Sequence, residues 1–302
     1  MEMTRRGFFG SAMAAGAASL VGGCRTTAPV AATAAAVSCK GQPGFKFGMA
    51  GYTMCRKSFE ETLEILKKVD IHYLCVKDFH LPLTATDAEM ATFRAKCADA
   101  DVVPYAVGPI YMKDEALARQ AFEYAKRLGV KTVVGVPYEP TDEKDSWNKR
   151  KGSRKLLLFI EKLVKEFDIR YAIHNHGPDS PEMFPSVASG WELIHDLDPR
   201  IGFCMDVGWE YGCGVDPVET IRKHADRIFD MHIKNFEIGK RNGASIPLPR
   251  GKIDYVRVIR ALMEVGYSNV CSLEYEKDFE DNIVPVAECV GYWRGVVDAL
   301  SR

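Results

Sequence analysis

The chain has 302 residues, enough for one large domain or two ordinary ones. Its 47% hydrophobic and 27% charged residues are the proportions of a soluble globular protein. The formal net charge of -1 leaves no global basic field to collect nucleic acid, which argues against a nucleic-acid partner.

The first 44 residues do not read as part of a fold. TRRGFFG, residues 4–10, sets two arginines ahead of an apolar, Ala-rich run that ends at Gly23. A charged stretch before so short an apolar run is too short to span a bilayer as a stable helix, and it resembles a twin-arginine export signal. The run closes in LVGGC, which looks like a bacterial lipoprotein processing site with Cys24 as the lipidated residue. The plainer alternative is an ordinary secretory signal followed by a chance cysteine. The expectation is an export signal over 1–24 and a small-residue, low-complexity linker over 25–44. The protein is then a periplasmic or cell-envelope lipoprotein that meets the membrane only through a lipid on Cys24.

From residue 45 onward, short apolar runs recur at even intervals. Strands are expected at 45–53, 71–78, 101–110, 131–138, 169–176, 201–209, 227–235 and 268–276. Between them lie segments with helical spacing. SFEETLEILKKV puts Phe59, Leu63, Leu66 and Val69 on one stripe. Residues 114–130 form a helix stopped by Gly129, and residues 152–168 form a third. DPVETIRKHADR opens with Asp216 as a cap and Pro217 at the first helical position. Eight mostly continuous apolar strands alternating with helices fit a (β/α)₈ TIM barrel over residues 45–302. A doubly wound open sheet is the alternative, but no GxGxxG follows the first strand. Two long polar connections, 138–153 and 236–255, follow strands four and seven, on the barrel face where active sites are built. Nine cysteines are scattered without a CxxC pair, so a thiolate zinc site is not expected, and Cys75, Cys204 and Cys271 read as buried free thiols.

Four successive strands carry a polar residue near the C-terminal end: His174 in AIHNHG, Asp206 in CMDVGW, His232 in DMHIKN and Glu274 in SLEYE. Side chains two apart on a strand share a face, so His176, Lys234 and Glu276 follow their neighbours, while Gly208 leaves space above Asp206. Each residue alone has a mundane role: a helix cap, a bonded core histidine, a lysine-paired glutamate. Together, two imidazoles and two carboxylates form a mixed nitrogen and oxygen set suited to one divalent ion, Mn²⁺, Zn²⁺, Mg²⁺ or Fe²⁺. Unpaired, such groups cost on the order of 1–3 kcal/mol each to bury.

In their order and spacing, DVGW…GVDP, RIFDMHIKN and GKIDY…GYSNVCSLEYE resemble the xylose isomerase-like TIM-barrel superfamily, in its sugar phosphate isomerase/epimerase branch. The resemblance spans residues 45–302. It implies a divalent metal on His174, Asp206, His232 and Glu274, and a sugar or polyol-like small molecule in the barrel mouth. Two positions depart from the family pattern. His174 stands where an ENH glutamate is usual, and Asn235 stands in HIKN where HxKD is frequent. Losing one metal-bound glutamate weakens a symmetric two-carboxylate epimerisation and leaves room for an isomerase or a lyase.

The leading expectation is an isomerase or epimerase that removes a proton next to a sugar carbonyl. Glu274 is the base, and Lys234 and His176 hold or protonate substrate oxygens. Trp209 offers a flat face to the sugar's C–H side. Glu139 hydrogen-bonds substrate hydroxyls or acts as a second acid/base group, and His80 and Lys77 after strand two are further substrate-binding candidates. Competing expectations are a lyase or dehydratase acting on a keto-sugar, keto-glycoside or inosose, and a catalytically silent sugar-binding lipoprotein. A phosphodiesterase of the DNA-repair type needs a basic groove that the charge does not provide. No Gly-rich phosphate cradle follows strand seven or eight, which argues against a phosphorylated sugar.

Overall fold

The computed structural model describes residues 43–139, 151–178, 183–237 and 245–302. The expected export signal, Cys24 and all of the expected linker except residues 43 and 44 lie outside the described residues, as do parts of both long polar connections.

Eight parallel strands close on themselves: β1 (Lys46–Ala50), β2 (Tyr73–Val76), β3 (Val103–Met112), β4 (Thr132–Glu139), β5 (Arg170–His174), β6 (Ile201–Asp206), β7 (Ile228–Ile233) and β8 (Val270–Leu273). Each pairs with its chain neighbours, and β8 pairs with β1. This is the expected TIM barrel, with one strand for every apolar run that predicted it.

The surrounding helices are α1 (Phe59–Lys68), α2 (Asp87–Asp99), α3 (Glu115–Leu128), α4 (Arg154–Phe167), α5 (Val187–Ile194), α6 (Val207–Gly212), α7 (Pro217–His224), α8 (Tyr255–Glu264) and α9 (Ile283–Ser301). Their ends follow local chemistry. Ser58 and Glu61 form a reciprocal capping box on α1, Asp114 caps α3, and Gly129 closes it with φ +86°. Asp216 caps α7 with Pro217 at its first position.

The main core lies between sheet and helices. Leu66, Phe122, Leu157, Ile160, Ile221 and Leu262 are buried there, each contributing roughly 1.5–3 kcal/mol by leaving water. Trp293 of α9 stacks on Phe47 at 4.6 Å and meets Phe45 edge-on. The barrel interior holds a second, smaller layer of Cys75, Ala106, Val134, Ala172 and Cys204 with Phe229, on which Tyr105 packs. The cysteines described are free, and Cys75, Cys204 and Cys271 are buried as expected.

Three register shifts interrupt the barrel among the described residues, one of them where β3 meets β4, between Val107 and Ile110. The β2–β3 register passes from Leu74↔Pro104 to Cys75↔Ala106, so Tyr105 is an extra residue. The β6–β7 register passes from Phe203↔Ile228 to Cys204↔Asp230, skipping Phe229. Such bulges bend a strand and re-aim side chains.

Candidate metal centre and active site

The strand ends set the site. His174 ends β5, Asp206 ends β6, His232 lies on β7, and Glu274 follows β8 with its N–H donated to Ile233 O at 2.9 Å. Asp206 and His232 are register partners. All four side chains are buried, and one ligand atom from each lies within 4.8 Å of all the others. His174 Nε2 is 3.0 Å from His232 Nδ1, 3.6 Å from Asp206 Oδ2 and 3.8 Å from Glu274 Oε2, and His232 Nδ1 is 3.0 Å from Glu274 Oε2.

This set fits a cation. Lys234 reaches both carboxylate oxygens from one side, while the two imidazole nitrogens face those oxygens and each other from the other, a mixed nitrogen and oxygen set that a divalent ion takes. Their separations are those of donors around one ion at about 2.0–2.2 Å from each. The four expected ligands are therefore brought together as a group that could hold one metal ion.

Neighbouring residues hold the donors in place. Asp206 divides its carboxylate: Oδ1 accepts Trp209 N–H at 2.9 Å and caps α6, while Oδ2 faces the histidines. That cap is why β6 stops at Asp206 and Val207–Trp209 turn helical, where the apolar run predicts a longer strand. Asn175 accepts Asp206 N–H at 2.7 Å and donates to Asp206 O at 3.3 Å, clamping that strand end. Behind it, buried Glu210 takes Val187 N–H and the Thr220 hydroxyl. Thr53 accepts Tyr275 N–H at 2.9 Å and donates to Leu273 O at 3.2 Å, bracketing Glu274.

Lys234 is buried, and its ammonium lies 2.8 Å from Asp206, 2.7 Å from Glu274 and 3.1 Å from Glu276. Its stem passes over Gly208, where a Cβ would lie 2.4 Å from Lys234 Cγ, and its ammonium lies 5.1 Å from the centre of the Trp209 ring. Asn235 locks the following loop. Its Oδ1 accepts the N–H groups of Phe236 and Ile253, while Nδ2 donates to Leu248 O at 2.8 Å and Ile253 O at 3.3 Å. An aspartate could not make the two donations, which explains the amide at this position.

Burial pushes the His174 imidazole down to about 4, so it stays neutral and able to ligate. Burial would raise the Glu274 carboxyl, but His232 and Lys234 hold it well below the ordinary range. Burial pushes Asp206 up, with Lys234 opposing. Burial also raises Glu276, the most exposed of the three carboxyls around Lys234. Burial works against the Lys234 charge, yet the carboxylates keep its ammonium protonated to well above its usual range.

The other expected residues divide. His176 lies beside His174, with ring centres 4.8 Å apart, and its Nε2 meets the Tyr111 hydroxyl at 3.0 Å. Trp209 lies at the mouth over Lys234, against Gly177, whose φ of +74° and closeness to the indole both require glycine. Lys77 donates to Pro109 O at 2.8 Å and sits 5.6 Å from the Tyr111 ring centre. Glu139 ends β4, accepts a long 3.4 Å bond from Ser153 and lines a separate cavity of about 610 Å³ with Lys113 and Tyr138.

The structure does not bring His80 to the donors. The turn after β2 sends its ring back to α1, where Nε2 meets Thr62 Oγ1 at 3.1 Å, in a groove lined by Phe59 and Phe93. Sequence reasoning overlooked Tyr111, Thr53 and Asp230. Only Asp230, two before His232 on the same face, carried a readable signal.

Residues 73–289 match the model of the xylose isomerase-like TIM barrel. The chain belongs to that family. Among curated proteins, Mannonate dehydratase 1 of Halalkalibacterium halodurans is 24% identical over 249 residues, 74% of this chain and 66% of that one. This chain thus spans just under two thirds of that relative. Among solved structures, a crystal structure of the IolI protein with a bound zinc atom superposes with a TM-score of 0.65 at 19% identity, covering 85% of this chain and 98% of that one. The probable 3-DHS dehydratase AsbF of Bacillus anthracis gives 0.64 at 14% identity, over 82% and 99%. A sugar phosphate isomerase/epimerase of Parabacteroides distasonis gives 0.58 at 16% identity, over 86% and 96%.

Proposed function

We propose that the protein is a metal-dependent enzyme of sugar metabolism that removes a proton next to a carbonyl, as an isomerase or epimerase. The observation that carries this reading is the convergence of His174, Asp206, His232 and Glu274 on one point of the barrel mouth, with a further carboxylate, Glu276, beside them. A divalent ion there would polarise a sugar carbonyl and a neighbouring hydroxyl, making the adjacent C–H more acidic.

The chain supplies the rest. Glu274 is the base: its ion pairs all run through Oε2, leaving Oε1 for substrate. Lys234 keeps that carboxylate ionised and fixed, and Glu276, at 26% side-chain exposure, passes the proton toward solvent. His176, whose Nδ1–H donates to His174 O and whose Nε2 takes the Tyr111 hydroxyl, forms a fixed wall beside the donors. Trp209 receives the sugar's apolar face. Export and lipidation at Cys24, read from the N-terminal sequence, place this chemistry in the cell envelope.

A second reading is a lyase or dehydratase, in which the same proton removal expels a β-hydroxyl or glycosyl group. It is favoured by His174, which leaves one glutamate in the ligand set, and by the likeness to Mannonate dehydratase 1. Incubation of metal-supplemented protein with a panel of keto-sugars and keto-glycosides in deuterated water distinguishes the two. Deuterium beside the carbonyl with an unchanged formula supports the isomerase, and loss of water or a glycosyl group supports the lyase. No change in any substrate argues for a sugar binder.

A further inference from the structure

A buried polar group lies one layer beneath the donors. Asp230 is wholly buried on β7, on the inward face it shares with His232. Its Oδ1 accepts the Tyr105 hydroxyl at 2.8 Å and Met231 N–H at 2.9 Å, and Ser272 Oγ closes on the same hydroxyl. These contacts join β3, β7 and β8 across the barrel interior.

That arrangement is expensive and specifically built. Interior layers of such barrels are usually filled by branched aliphatic side chains. Here the layer is Cys75, Ala106, Val134, Ala172 and Cys204 with one large side chain, Phe229, and the Tyr105 ring packs against it. Two of the register shifts serve it, since one makes Tyr105 the extra residue of β3 and the other pairs Asp230 with Cys204. A buried carboxylate is kept only where something repays its desolvation.

Two atoms show what that is. Asp230 Oδ2 and His232 Nε2 are both buried without a hydrogen-bond partner, and an Asp230 oxygen lies within 4.8 Å of a His232 ring nitrogen. The other nitrogen, Nδ1, faces the donor cluster. We infer that Asp230, held by Tyr105 and Ser272, is a positioning residue that accepts a hydrogen bond from His232 Nε2–H and so keeps the Nδ1 lone pair directed at the cation. A carboxylate behind a ligating histidine fixes its tautomer and ring orientation and raises its basicity. The inference rests on the metal reading of the four donors.

The test is metal affinity, by titrating metal-stripped protein with Zn²⁺ and with Mn²⁺ against a chromophoric chelator. Asp230→Leu is expected to weaken binding about 10–100-fold. Asp230→Asn, which keeps an acceptor oxygen, recovers part of that loss, and Tyr105→Phe gives a smaller loss in the same direction. Melting of metal-free and metal-loaded forms separates positioning from packing. Positioning predicts that the gain of the Asp230→Leu protein on adding metal shrinks, over and above any lowering of the metal-free melt by the lost Tyr105 and Met231 bonds. A packing role predicts a lower metal-free melt and an unchanged gain. If Asp230→Leu does not fold, Tyr105→Phe carries the same comparison. Parental affinity in these variants overturns the inference alone. A parent chain that binds neither ion overturns the metal reading, and the positioning role with it.

Discussion

His174, Asn175 and His176 divide the tasks of one stretch: a donor, a clamp on the neighbouring strand end and a hydroxyl partner. Glu274 makes the sharpest test at this scale. Glu274→Gln keeps the shape and removes the base, so turnover should fall about 10²–10⁴-fold in a chain that still folds, its melt lowered by the weakened pairs with Lys234 and His232. Equal turnover would remove Glu274 from that role. His80 gives a test outside the site. Burial holds its imidazole down at about 4, below the 6.5 of an exposed histidine. The unfolded chain therefore binds the extra proton first, and stability rises with pH across that window. Acidification from about 6.5 toward 4 should destabilise the protein, and His80→Gln should flatten that slope in denaturant titrations at successive pH values.

Strand ends and the loops beyond them carry the site. Asn235 and Gly251 belong together: a Cβ at 251 would lie 2.0 Å from Asn235 Cγ, inside a side chain bonded on both polar atoms. Gly251→Ala should destabilise by about 1–3 kcal/mol through overpacking and lost bonds, read by chemical denaturation. An unchanged midpoint would mean that the loop yields. What the sequence left unread sits at this level too. The eight strands were legible because both faces are buried and each run is apolar throughout. The four donors were legible because parity and position place them at one end. The bulges at Tyr105 and Phe229 were not, since an added residue leaves no mark in an apolar run. Nor was the return of His80 to α1, which depends on a turn and on a partner 18 residues away.

At the level of the whole molecule, Lys234 sets what metal removal does. Its ammonium stays among Asp206, Glu274 and Glu276, so the carboxylates keep a counter-charge without the ion. Dialysis against a chelator should lower the melting temperature without unfolding the chain, and restoring metal at about 100 times its Kd should return roughly 2.7 kcal/mol. An unchanged melt with no bound metal by elemental analysis would count against the centre.

The thiols of the inner layer have a consequence of their own. Cys204 lies within ligand reach of His174 and His232, and Cys75 within reach of Asp230 and His232. Burial keeps both protonated, but a thiophilic ion such as cadmium or mercury displaces that proton as it binds. Such an ion would find a softer donor set one layer below Asp206 and Glu274, sharing His232 with the four upper donors.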